Sequence, residues 1–289
     1  MKVIKGLIRN IDVDNRIFEI KTKDKIESFY LSHSLMNRFK LYIQSNYYCE
    51  LEYNEQALIK DGLKLYEVIA FIRIQGFESD ERVTFYDIFA LREGISDVIN
   101  RERNLMFIDL EFSMPPYGYH GTYDSDIVQY GYILVDQKFK IIDQKVQLLK
   151  TTNDEPISDR TFDFLKKDMV DFEEAVESID FYNSLKEVLE KYNPMIIVWG
   201  TNDILMIKKY YQKNNLAPLT TRASFINLMQ LMKNYFGLRH DIGLFNALSF
   251  FDTNFNLSQE HDALQDAYIT YKVYQEFSKY SLKQLKEQK

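Results

Sequence analysis

Cysteine is nearly absent from this chain of 289 residues: Cys49 stands alone. One thiol cannot close an internal disulfide, and with only four scattered histidines it supplies no Cys/His zinc set of the usual spacing. A reducing, cytoplasmic setting is the expectation. Glycine (10) and proline (5) are scarce as well, which leaves little room for linkers or low-complexity sequence. Long apolar runs are missing too. The opening MKVIKGLIRNIDVD lacks the apolar core of a signal peptide, and no stretch approaches the roughly 18 apolar residues of a membrane helix, so no membrane partner is expected. An excess of positive charge is also missing: the net charge is −7, which argues against a broad basic surface for nucleic acid. It does not exclude a site where carboxylates gather around divalent cations, because the bound ions would cancel that charge.

What is present suits a folded protein of two domains or one large one: 46% hydrophobic, 27% charged and 15% aromatic residues, with no internal repeat. Core packing is the ordinary use of so many aromatics, and base stacking is the rarer one. Residues 1–75 read as three short strands, a helix from about Leu35 capped by Ser34, and two further strands (Tyr47–Tyr53 and Leu63–Ile74) separated by the turn-like NEQALIKDG. That order suits a small OB-like β-barrel, either an oligonucleotide-binding module or a packing module. Lys and Arg outnumber Asp and Glu 12 to 10 up to Gln75, and the remainder has 24 against 33, so what positive charge there is lies here. Residues 76–103 read as a polar connection and an amphipathic helix (Ile88, Leu91, Ile95, Val98, Ile99), serving as a packed linker or a partner-binding helix. Residues 104–289 give three strands (LMFIDLEF, IVQYGYILVD, FKIIDQKVQLL) and helical sequence over Phe162–Lys191. Strand PMIIVWG, helix TNDILMIKKYYQ, strand SFINL and helix NLMQLMKNYF follow, and a long helix runs from about His261 to Phe277. This predicts an α/β domain of ribonuclease-H-like order with a mixed sheet.

Carboxylates stand in apolar places. Asp109 and Glu111, two apart on a strand, project from one face amid Phe107, Ile108, Leu110 and Phe112. Buried unpaired carboxylates are costly, so either a bound divalent cation compensates them or the strand end is exposed. Asp203 lies just past PMIIVWG, at the carboxyl edge where α/β sheets place their chemistry, although Thr201, Asn202 or Asp203 also suits a helix cap. On the last helix, Ala263, Ile269, Val273 and Phe277 share a stripe with Asp266, which sets this carboxylate on the buried face, and the small Ala263 and Ala267 permit a close approach to the sheet. His261, at the helix start, is either a cap or surface group or a residue reaching the same cleft.

Taken in order, FIDLEF, IIVWGTND and HDALQDA resemble the DEDDh family of 3′-to-5′ exonucleases over about residues 104–280. The resemblance implies phosphodiester hydrolysis with two Mg²⁺ or Mn²⁺ held by Asp109, Glu111, Asp203 and Asp266, and His261 as general base. The implied substrate is single-stranded DNA or RNA with a free 3′ end, released as nucleoside monophosphates. The barrel would either guide the strand or bind a protein partner; a catalytically silent binding protein of the same fold is the alternative. The chain departs from the family after Asp-x-Glu. Where members commonly continue Thr-Thr-Gly, Phe112, Ser113 and Met114 stand here, followed by the longer loop PPYGYHGTYDSD. Its Tyr117, Tyr119, His120 and Tyr123 are either stacking partners for a base or solvated loop residues. Asn202 precedes Asp203 where many members have an aromatic residue.

Overall fold

In the N-terminal sequence, alternation of apolar and polar residues builds β1 (Lys2–Asp12), with Ile4 and Ile8 turned inward and Lys5, Leu7 and Arg9 outward. The computed structural model describes all residues except 61, 153–156, 239, 253–260 and 288–289. β2 (Ile17–Lys21), β3 (Ile26–Tyr30), α1 (His33–Phe39), β4 (Tyr48–Lys60), β5 (Leu63–Glu78) and β6 (Glu81–Asp87) follow. The cap of α1 is Ser32, whose side chain accepts from the Leu35 backbone N–H, two residues before the Ser34 predicted. The sheet runs β3-β2-β1-β4-β5-β6, and β3 also pairs parallel with β5, which joins the first five strands into a ring. Its interior holds Phe18, Phe29, Leu51, Val68 and Phe71 and the buried Cys49, whose thiol pKa burial pushes up.

Two segments expected as turn or connection are strand. NEQALIKDG mostly extends β4, and Lys60 pairs with Leu63 in a long β4–β5 arm. GFESDERV forms the end of β5, a turn and the start of β6. Ser79 and Asp80 both adopt positive φ (48° and 69°), the mirror-image turn whose twist suits a tight hairpin, and Glu78 pairs with Glu81. The amphipathic helix α2 (Ile88–Ile99) follows as predicted.

The chain forms two units, one of Met1–Ile95 with a short stretch from Asn234, the other of Ser96–Lys233 and His240–Lys289. The second is the predicted mixed α/β fold. Its strands β7 (Leu105–Phe112), β8 (Ile127–Val135), β9 (Ile141–Leu148), β10 (Met195–Val198) and β11 (Phe225–Asn227) stand in the order β11-β10-β7-β8-β9. β8 is antiparallel to both its neighbours, β7 and β9, whereas β7, β10 and β11 are mutually parallel. The helical stretch expected over Phe162–Lys191 is three helices, α3 (Asp159–Leu165), α4 (Met169–Glu173) and α5 (Ile179–Tyr192). α3 stops at left-handed Lys166, and a reciprocal Asp168–Asp171 capping box starts α4. Then come α6 (Asn202–Lys213), α7 (Leu228–Phe236), α8 (Leu244–Phe251), which was not predicted, and α9 (Ala263–Glu287), which runs ten residues beyond Phe277.

Candidate active site

β7 lies at the centre of its sheet, so its side chains alternate between two covered faces. Met106, Ile108 and Leu110 pack with Leu185 of α5 and Ile207 of α6. Phe107 points the other way, edge-on to Tyr271 and Tyr274 of α9 at 5.4 Å. Asp109 and Glu111 continue that second face, beneath α9.

Three features of β8 and α9 seat the helix. Gly131 pairs with Asp109 across the β7–β8 ladder, and a Cβ there would run into the backbone of Ala263 and Leu264. Ala263 and Ala267 are fully buried at this contact. Gln129, paired with Glu111 and 3% exposed, accepts from the Ala263 N–H (3.0 Å) and donates to Asp262 Oδ2 (3.3 Å). Asp262 in turn caps α9, its Oδ1 accepting from the N–H groups of Leu264 (3.1 Å) and Gln265 (3.0 Å). One turn further on, Asp266 meets the β7 carboxylates.

Asp109, Glu111 and Asp266 each offer an oxygen, and the three lie within 4.8 Å of one another. Asp266 Oδ1 is buried and has no hydrogen-bond partner among the described residues. Asp266 as a whole is half-buried, less enclosed than the apolar stripe implied, because α9 presents it into a cleft. Asp203, 4% exposed in the first turn of α6, stands outside this group of three. The Leu110 N–H hydrogen-bonds to its carboxylate, fastening the start of α6 to β7.

The electrostatics are those of a site missing positive charge. Burial, then the charges of Asp203, Glu111 and Asp266, hold Asp109 well above the ordinary carboxylate range. Burial and Asp266 push Glu111 up to about 8. Burial raises Asp203 to about 7 against the opposing backbone hydrogen bonds, and raises Asp266 to about 6, with Asp262 adding to it. An all-oxygen carboxylate set with an unpartnered buried oxygen fits hard divalent cations such as Mg²⁺ or Mn²⁺.

His261 is not among the clustered ligand atoms. Its ring stacks on Phe164 of α3, centroids 3.8 Å apart and planes 21° apart, and its pKa is lowered by burial and by Lys166. In the loop after β7, Tyr117, Tyr119 and His120 are exposed and Tyr123 is half-buried; Tyr117 donates to Asp163 (2.9 Å), and Tyr119 packs edge-on to Tyr123. The loop is fastened at both ends. The Met114 N–H donates to Thr161 Oγ1 (2.9 Å), and buried Asp126 accepts from Thr152 N (3.0 Å) and Lys213 Nζ (2.5 Å).

The sequence reading missed Gln129, Asp262 and Asp126. Gln129 did leave a signal, a lone amide in a strand buried on both faces.

The model of the RNase T exonuclease family matches residues 106–274, more than half of the chain. The chain belongs to this family. It is 28% identical to the probable 3′-5′ exonuclease KapD of Bacillus subtilis (strain 168) over 172 residues, 59% of this chain and 82% of that protein. Among solved structures, the nuclease domain of 3′hExo, a DEDDh family member bound to rAMP, shares the fold. Its TM-score is 0.54 at 15% identity, covering 62% of this chain and 93% of that one. Escherichia coli Exonuclease I in complex with a dT13 oligonucleotide does so with a TM-score of 0.50 at 16% identity, covering 64% of this chain and 43% of that one. The DEDDh-type exonuclease resemblance drawn from the sequence is thereby borne out, and the chain is a 3′-to-5′ exonuclease.

Proposed function

We propose that the chain removes nucleotides from the free 3′ end of single-stranded DNA or RNA as nucleoside monophosphates, with two Mg²⁺ or Mn²⁺ held by Asp109, Glu111, Asp203 and Asp266. The observation that carries this reading is the carboxylate cluster with its unpartnered Asp266 oxygen, in a chain of exonuclease family. The nucleotide and oligonucleotide bound in the related structures support the substrate class. When bound, the cations would neutralise charge on the scissile phosphate and acidify the attacking water.

The side chains divide the remaining work. Asp109, Glu111 and Asp266, whose oxygens lie together, would hold the cations that act on the attacking water, with Asp109 serving both ions, and Asp203 at the start of α6 would serve the leaving-group side. His261 takes the proton of the attacking water at a ring nitrogen. Its lowered pKa keeps the imidazole neutral and able to accept near pH 7. Phe164 fixes the plane of that ring. The ring-closed N-terminal sheet is read as an OB-type barrel that takes no part in the chemistry.

Digestion of end-labelled DNA and RNA oligonucleotides with Mg²⁺, with Mn²⁺ and with a chelator tests the proposal. Stepwise shortening from the 3′ end with mononucleotide products, abolished by the chelator, is expected. Turnover that survives metal removal, or internal cleavage, would overturn it.

A further inference from the structure

The outer face of the N-terminal sheet carries a groove of about 320 Å³ lined by Lys5, Leu7, Arg9, Lys21, Lys23 and Tyr48, among others. Strand register assembles it: Leu7 of β1 stands opposite Lys21 at the end of β2 and opposite Tyr48 at the start of β4. Lys5 and Arg9 flank Leu7 on the same face. At Gly6 a Cβ would strike the Lys21 carbonyl and would lie 2.8 Å from Ile20 Cγ2, so β1 and β2 close tightly below the groove.

Four cations share this groove, and among the described residues none of them makes an ion pair or a side-chain hydrogen bond. The nearest carboxylates by register are Glu19, opposite Arg9, and Glu50, opposite Lys5. Glu19 already accepts from Asn10 Nδ2 (2.6 Å), and Glu50 interacts with the Tyr48 hydroxyl. Like charges kept together without partners repel, and an anion relieves them. Lys5 and Arg9, four residues apart on one strand, stand about 13 Å apart at the usual rise, a spacing that suits an extended polyanion better than a single phosphate. Leu7 and Tyr48 give the middle of the groove apolar and aromatic surface, which a nucleobase uses and a polycarboxylate does not.

We propose that this groove binds single-stranded nucleic acid, with Lys5, Arg9, Lys21 and Lys23 on the phosphates and Tyr48 stacked on a base. The inference rests on the exonuclease reading for its choice of polyanion. It adds a second strand-binding site, on the unit that lacks the carboxylates.

The test is fluorescence anisotropy of a labelled twenty-nucleotide single strand on the full chain in EDTA, which stops turnover and removes metal-dependent binding. Lys21→Glu/Lys23→Glu should bind at least tenfold more weakly at low salt. Its slope of log affinity against log salt should fall by about 1.4, since each phosphate of a single strand that a lysine neutralises contributes about 0.7. Lys21→Gln/Lys23→Gln should fall between this variant and the unmodified chain, with an unchanged melting temperature because both side chains are exposed. Tyr48→Phe, which keeps the ring, should retain affinity, whereas Tyr48→Ala should weaken it with the salt slope unchanged. Equal affinity and slope in the lysine variants would overturn the inference, as would displacement of the strand by polyglutamate as readily as by unlabelled oligonucleotide. Digestion by the unmodified chain with Mn²⁺ is scored separately. A chain that does not digest but shows this lysine-dependent binding loses the catalytic reading and keeps the groove.

Discussion

One oxygen expresses the state of the carboxylate cluster. Asp266 Oδ1 is buried with no hydrogen-bond partner among the described residues, beside two carboxylates that burial and mutual repulsion hold above their ordinary range. For such groups the folded protein binds more protons than the unfolded chain, so their stability contribution is full below the unfolded carboxylate pKa and is lost as pH rises through the folded values. With Asp266, Asp203 and Glu111 at about 6, 7 and 8, the metal-free protein should lose melting temperature steadily from pH 5 to pH 8. Mn²⁺ should restore it most at the upper end, where its ligands are ionised. A metal-free melting temperature that rises over this range would contradict the charge picture. Asp109→Asn removes the central charge at nearly constant volume. It should abolish hydrolysis while raising the metal-free melting temperature at pH 8, and near-normal turnover in Mg²⁺ would refute its shared position. His261→Ala should lower turnover by about 10²- to 10⁴-fold with metal affinity retained. Lost metal binding in that variant, measured by calorimetric titration, would make His261 a ligand instead.

At the scale of elements, the site depends on how closely α9 lies on β8. Gly131→Ala places a methyl against the Ala263–Leu264 backbone, so the helix must shift and carry Asp266 away from Asp109. A loss of about 1–3 kcal/mol is expected by denaturant titration, the usual cost of overpacking, together with weaker Mn²⁺ binding. Unchanged metal affinity would show that Asp266 is not positioned by this contact. The sequence revealed the ingredients of the arrangement but not the contact itself. Period-two alternation in LMFIDLEF set Asp109 and Glu111 on one face, and the stripe through Ala263, Ile269 and Val273 set Asp266 toward the sheet, because both patterns are local. The pairing of Gln129 with Asp262 and Ala263 spans more than 130 residues and leaves no periodic trace. Breaks decided by single residues were also hidden. Left-handed Lys166 ends α3 inside a continuous helical pattern, and the Ser79–Asp80 turn folds what reads as polar linker into a hairpin.

At the scale of the molecule, charge and chemistry are divided between two units. The carboxylates, His261 and nearly all of the family match lie in the second, and the groove's cations, unpaired among the described residues, lie in the first. Each unit has a core of its own, Phe18, Phe29 and Phe71 in one and Met106, Leu110 and Phe181 in the other, so each has the apolar interior of an independently cooperative fold. The boundary read at residue 75 fell inside a sheet, because β6 pairs with β5 beyond it. A cation bound by the carboxylates stabilises only the state that holds them together, by about 2.7 kcal/mol at a hundred times its Kd. Differential scanning calorimetry of the full chain should therefore show two transitions, of which Mn²⁺ raises one and leaves the other in place. The Asp109→Asn variant should keep both transitions and lose most of the shift. If Mn²⁺ instead moves a single transition that carries the whole unfolding enthalpy, the two cores melt as one cooperative body and their independence is refuted.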